Sequence, residues 1–182
     1  YYRNDEATAE AFTEQGFFKT GDIGEIDADG FVKITDRKKN LIVLSNGKNV
    51  APQKLENHFQ TISLIGAGLV HGDRRNYLVG LFTLDAEEAL RWASSRGIGP
   101  SESVDLAERL RLIASDPQTS AHIDKAITEK NSELPRFEQL KYWKLLPETW
   151  SVDDGSLTPT LKLKRRVIEE RHAEQLDSFY SD

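Results

Sequence analysis

The 182-residue chain has no cysteine, which excludes disulfides, thiolate zinc sites and a cysteine nucleophile. It has no methionine either, not even at position 1. The abrupt opening Tyr1-Tyr2-Arg3-Asn4 therefore reads as a piece of a longer or processed protein. No apolar run approaches the roughly 20 residues that cross a bilayer, and no signal peptide is visible at the start. A cytoplasmic protein is the default expectation. Cations are outnumbered: 24 Lys and Arg face 30 Asp and Glu, for a net charge of −6. Such a chain is poorly suited to general nucleic-acid binding, because a phosphate backbone must be met by clustered Lys and Arg. The four histidines (His58, His71, His122 and His172) show no metal-ligand spacing, so no metal site is expected. A Walker-type phosphate loop is also missing.

Apolar residues make up 38% of the chain and charged residues 30%. That suits one core of ordinary domain size with a well-solvated surface and extra segments at the ends. Residues 4–15 read as a short helix or turn and a polar loop. The segment GFFKTGDIGEIDADGFVKIT then reads as strand, turn, strand. Gly30 supplies the positive φ that the Asp27-Ala28-Asp29-Gly30 turn needs, and Ile26, Val32 and Ile34 are expected on a buried face of this β-hairpin. The charged run 36–40 (DRKKN) interrupts the apolar pattern and is the predicted domain boundary. Residues 41–45 and 48–50 are predicted strands around the tight-turn pair Asn46-Gly47. Pro52 suits a helix first turn, followed by Leu55, Phe59 and Ile62 at helical spacing.

Strands are predicted at 66–72 and 77–85, joined by a charged turn at Asp73-Arg74-Arg75-Asn76. Helices follow: 87–97, one capped by Ser103, and one opened by Asp116-Pro117. A strand at 139–147, a turn-rich loop at 151–162 and a terminal helix at 165–180 complete the chain. The fold class expected is α+β: a small mixed β-sheet flanked by helices, preceded by an N-terminal β-hairpin strip.

Three segments carry the residues best suited to chemistry: FKTGDIGEID, ITDRKKNLIVLSNGKNVAPQKLE and GSLTPTLKLKRR. Asp22, just after a glycine turn, is placed either to cap that turn or to accept hydrogen bonds from a ribose, as acidic residues do in dinucleotide sites. Arg37 has the permanently charged fork that suits ribose or phosphate oxygens. Small residues in Ser45-Asn46-Gly47-Lys48 let a backbone approach a ligand closely, although Asn-Gly is also explained by hairpin geometry alone. Lys162 lies in the basic run Lys162, Lys164, Arg165, Arg166.

In this order the three segments resemble the adenylate-forming superfamily, and LTPTLKLKRR with NSELPRFEQLKYWKLLPE is most similar to its long-chain fatty-acyl-CoA ligases. The resemblance covers nearly the whole chain. It implies that residues 1–35 end a large N-terminal adenylation domain, 36–41 form a hinge, and 42–182 form a mobile C-terminal domain. It implies nucleotide binding by Asp22 and Arg37, and a hinge at Asp36, Lys38 and Lys39, with Lys39 as pivot. Ser45 to Lys48 would border the CoA tunnel. Lys162 would bridge the acyl carboxylate and the α-phosphate. Relatives commonly have Gly-Arg where Asp36-Arg37 stands, two glycines where Asn46-Gly47 stands, and Gly where Leu161 stands.

The implied activity is ATP-dependent fatty acid–CoA ligation, with ATP, Mg²⁺ and CoA as substrates and cofactor of the full-length enzyme. None is expected to bind tightly to this chain alone, which should be inactive. The implied partners are its own N-terminal domain, fatty acid, ATP and CoA; peripheral membrane association is left open. Two alternatives stay open: a ligase that loads a carrier protein, and a non-catalytic interaction module derived from the ligase.

Overall fold

The structure is a computed structural model that describes residues 1–99 and 104–181. The predicted cap Ser103 lies outside the described residues. The chain divides into two compact units, Tyr1–Leu41 and Ile42–Asp182.

The first unit begins with the short helix α1 (Asp5–Glu10), capped by the Asn4 side chain, which accepts from the Ala7 N–H. Strands β1 (Asp22–Ile26) and β2 (Val32–Arg37) form the predicted antiparallel hairpin. Its turn is locally encoded. Asp27 Oδ1 accepts from the N–H groups of Asp29 and Phe31 at 3.0 and 2.9 Å, and Gly30 takes φ +89°. The expected burial of Ile26, Val32 and Ile34 is not found: they are 74%, 68% and 59% exposed. A two-stranded ribbon has no second layer of its own against which to bury an apolar face.

The second unit opens with β3 (Ile42–Val43) and β4 (Asn49–Val50), a hairpin shorter than predicted. Helix α2 (Pro52–Phe59) starts at its proline. The main sheet has the order β5 (Ile65–His71), β6 (Leu78–Leu84), β7 (Leu140–Leu145). Strands β5 and β6 are antiparallel, and β6 and β7 are parallel, so the sheet is mixed, as expected. A parallel neighbour requires a long crossover. Here it contains α3 (Ala86–Ser94), α4 (Leu106–Ser115) and α5 (Pro117–Ser132). Asp85, Asp105 and Asp116 cap these helices through carboxylates that accept N–H groups of the first turn. The cap of α4 is thus Asp105.

Every residue of β6 is buried, and its side chains alternate between two cores. Leu78, Phe82 and Leu84 join the cluster with Leu55, Phe59, Leu110, Ile123 and Ile127. Val79 and Leu81 join Leu69, Leu146, Trp150, Ile168 and Leu176. A Cβ at Gly68 would lie 2.7 Å from the Phe82 ring, so that strand position is kept bare for an aromatic neighbour.

The predicted single helix at 165–180 is two: α6 (Arg165–Arg171) and α7 (Ala173–Ser178). The break falls at His172, whose nearly buried ring lies 3.4 Å from Glu148. His71 ends β5 and contacts Glu169 at 2.9 Å.

Candidate functional site

The candidate residues fall in both units. In the first, β1–β2 pairing puts Asp22 opposite Arg37, and the Arg37 Nε lies 2.7 Å from the Asp22 carboxylate. Gly21 precedes Asp22 with φ +74°, and the Lys38 N–H returns to the Gly21 carbonyl at 2.8 Å. The strand register therefore brings together two of the predicted nucleotide residues. Asp36 is buried and accepts from the Arg37 N–H at 2.6 Å. Lys38 and Lys39 are exposed in a single 3₁₀ turn, Lys38–Asn40.

In the second unit, Lys162 stands exposed at the end of a closed turn. The Leu161 N–H donates to the Thr158 carbonyl at 2.8 Å, and the Thr158 N–H to the Lys162 carbonyl at 2.8 Å. The Lys162 N–H donates to the Thr158 hydroxyl at 3.1 Å. A bridge between Leu157 and Leu163 closes the turn below, with both side chains packed against the second core.

Leu161 takes φ +59°, a left-handed conformation that costs an L-residue roughly 1–2 kcal/mol. Its side chain is 72% exposed, so little burial offsets that cost. Leu161→Gly should therefore stabilise the protein by about 0.5 kcal/mol, because the strain relieved exceeds glycine's extra entropy cost of about 0.5–1 kcal/mol. A denaturant midpoint that rises instead of falling is the expected readout.

The loop is held at both feet. At its start, Asp154 Oδ1 accepts from the N–H groups of Ser156 (2.7 Å) and Ser151 (3.2 Å). Burial disfavours the Asp154 charge, but contacts from Ser156, Ser151 and Arg171 outweigh it and hold the pKa below the usual carboxylate value. From α6, Arg171 reaches the Asp154 carboxylate at 3.1 Å, the Asp154 carbonyl at 2.7 Å and the buried Ser156 hydroxyl at 2.8 Å. The Lys164 N–H donates to the Ser156 carbonyl at 2.8 Å. At its end, Arg165 donates to the Glu56 carboxylate and the Val70 carbonyl, and the buried Glu56 also accepts the Val70 N–H at 2.8 Å. Neither footing was anticipated, because each joins residues with no local sequence signal.

The Ser45–Lys48 turn borders a cleft of about 590 Å³. Three cations line it, Lys48, Arg136 and Lys141, beside Phe137 and Tyr77, with no carboxylate among the described lining residues. Lys48 Nζ lies 4.3 Å from the Phe137 ring centre. Only Gly47 in this turn has a positive φ, and Ser45 ties it to the β5–β6 connection through Asn76 at 2.7 Å. Arg136 and Lys141 escaped the sequence reading, although ELPRFEQLKYW carries both. Arg75, in the charged turn between β5 and β6, is paired with Asp177 at 2.5 Å and lies 4.6 Å from the Tyr180 ring centre.

Among the described residues no cluster of three or more His, Asp or Glu could hold a metal ion, and no helix is long and apolar enough to cross a membrane.

No protein-family model matches the chain. The chain is 40% identical over 181 residues to the long-chain-fatty-acid–CoA ligase FadD15 of Mycobacterium tuberculosis, covering 100% of this chain and 29% of that protein. It is 35% identical over 188 residues to long-chain-fatty-acid–CoA ligase 1 of Homo sapiens, covering 100% of this chain and 25% of that protein. Among solved structures it is similar to the A domain of a carboxylic acid reductase from Segniliparus rugosus, in complex with AMP and a co-purified carboxylic acid. The TM-score is 0.71 at 26% identity, covering 99% of this chain and 26% of that one. The match lies at the C-terminal end of the curated relatives and spans less than a third of their length. On these grounds the chain belongs to the long-chain fatty-acid–CoA ligase family of adenylate-forming enzymes.

Proposed function

We propose that the protein containing this chain ligates a long-chain fatty acid to CoA in two steps. The fatty-acid carboxylate attacks the α-phosphorus of ATP, forming acyl-adenylate and releasing pyrophosphate. The CoA thiol then attacks the acyl carbon and displaces AMP. The observation that carries this reading is the exposed Lys162 ammonium on a closed, doubly footed turn, in a chain that belongs to this ligase family.

The chemistry asks for such a group. A carboxylate attacking a phosphoryl centre brings two anions together, and a positioned ammonium offsets the repulsion as the new P–O bond forms. In this reading Asp22 accepts the ribose hydroxyls, and Arg37, already paired with it, orients that carboxylate and adds a charge for the nucleotide. Residues 36–41 act as the hinge, with the Lys38–Asn40 turn taking up the change in backbone angles and Lys39 as pivot. Asp36 anchors the strand side of that hinge. Residues 1–35 belong with the N-terminal domain, and the exposed Phe17, Ile26, Phe31 and Val32 suit a face that this larger domain covers. The resemblance also implies Mg²⁺, but no ligand set for it gathers among the described residues, and no step here runs through it.

The basic cleft beside Ser45–Lys48 suits the phosphates of CoA, with Phe137 and Tyr77 offering aromatic faces. Lys48→Ala and Arg136→Ala should each raise the KM for CoA by roughly fivefold to tenfold, equivalent to about 1–1.4 kcal/mol. The KM for ATP should stay unchanged. Steady-state kinetics of the full-length protein with each substrate varied check this. The reading as a whole is tested by product analysis with fatty acid, ATP and free CoA: acyl-CoA and AMP are expected. Acyl-adenylate that accumulates until a carrier protein is supplied would favour the carrier-loading alternative.

A further inference from the structure

We propose that Arg171, with Arg165 at the opposite foot, is a positioning residue for adenylate formation: the two guanidinium groups hold the 151–164 loop so that the Lys162 ammonium is presented at a fixed place. This rests on the lysine reading above and adds residues that never touch substrate.

Electrostatic stabilisation by one ammonium depends on where it stands. Its energy falls with distance, and a displacement of about 1 Å can cost roughly 100-fold in rate. Most of the loop between Trp150 and α6 has no ladder or helical hydrogen bonds to hold it, apart from the Leu157–Leu163 bridge. Backbone bonds inside the loop shape it, among them the Leu157 N–H to the Ser151 carbonyl at 2.9 Å; what ties it to the helices and the sheet includes the packing of Leu157 and Leu163 and the two guanidinium groups. Arg171 spends its fork on three acceptors of the loop: the carboxylate and carbonyl of Asp154 and the hydroxyl of Ser156. Ser156 in turn holds the returning chain through its carbonyl and the Lys164 N–H. The next residue, Arg165, is locked to α2 and β5 through Glu56 and the Val70 carbonyl. The turn therefore projects from a base fixed on both sides. Lysine replaces arginine only in part here, because one ammonium on a flexible stem lacks the fork that reaches all three acceptors.

The test separates the two half-reactions in the full-length protein. Adenylate formation is followed by pyrophosphate exchange, and thioester formation by adding CoA to preformed acyl-adenylate. Arg171→Gln should lower the kcat of the first about tenfold, with the KM for ATP nearly unchanged and the second half-reaction intact. Arg171→Lys should recover only part of that loss. Combined with Lys162→Ala, Arg171→Gln should add little further loss, because the arginine acts through the lysine. If Arg171→Gln does not fold, Ser156→Ala removes one acceptor from the same footing and should show the same pattern with a smaller loss. Equal losses in both half-reactions, or additive losses in the double variant, would overturn the proposal. A slow Lys162→Ala beside a normal Arg171→Gln would overturn the footing alone. An unchanged Lys162→Ala would remove the lysine reading itself, and the footing with it.

Discussion

Replacing Lys162 by alanine in the full-length protein is expected to slow acyl-adenylate formation by about 100-fold or more, the loss typical of removing one preorganised electrostatic stabiliser. The attacking carboxylate and the α-phosphate both carry negative charge, and the transition state brings the carboxylate oxygen close to the non-bridging phosphate oxygens. Ground-state binding of ATP also draws on other contacts, so kcat should fall far more than KM rises. The second half-reaction, thiol attack on a preformed adenylate, removes no such repulsion and should be spared. Pyrophosphate exchange measured beside single-turnover thioester formation gives both numbers. An exchange rate that stays at the wild-type level would show that the ammonium is a solvated bystander.

The largest stability effect is expected at Glu56. Its carboxylate is buried and accepts from both the Val70 N–H and Arg165, so one side chain joins α2, β5 and the start of α6. Glu56→Ala would strip a mostly buried guanidinium of this carboxylate, leaving it the Val70 carbonyl, and would take from the Val70 N–H its acceptor on Glu56. Breaking a buried pair from one side costs about 3–5 kcal/mol. The Arg165 side chain keeps 19% of its exposure, which gives water some access and argues for the lower end of that range. The paired replacement Glu56→Leu with Arg165→Met should cost less than Glu56→Ala alone, because no buried charge is then stranded. Denaturant midpoints of the single and double variants decide this, and a double variant that falls further than the single would show that the ion pair itself carries the stability.

Much of the local structure was legible because it is locally encoded. Pro52 starts a helix, Asp116-Pro117 starts another, and Asp27 with Gly30 makes the hairpin turn, since each depends on the dihedral preferences and reach of its own neighbours. The strands at 65–71 and 78–84 were legible from apolar runs bounded by turn residues. Reading failed where burial depends on something distant. Ile26, Val32 and Ile34 have the pattern of a buried face, yet stand exposed, because alternation reports what a strand is able to bury and not what lies across from it. The helix at 165–180 was read as continuous, but its break at His172 accompanies a contact with Glu148 from another segment.

The candidate site divides in the same way. Thr158-Pro159-Thr160 before Lys162, Gly21 before Asp22 and the Asn46-Gly47 pair are short-range patterns, and they marked candidates before any fold was known. The partners of those residues were invisible. Arg165 meets Glu56 across 109 positions of chain, and Arg136 comes beside Lys48 only because helix packing folds the chain back on itself.

By itself, the sequence determined the family, the mixed α and β composition, most turns and caps, and the lysine on which the proposed chemistry depends. These are properties of neighbouring residues, governed by dihedral preference, periodicity and short motifs. Only the tertiary structure decided which cations are occupied in holding the fold and which remain free to meet a substrate. Arg165 and Arg171 grip the loop, Arg75 is spent on Asp177, and Lys162 stands exposed. The physical reason is that a charge is assigned its role by whatever lies within a few ångströms of it, and chain folding, not chain order, sets that company.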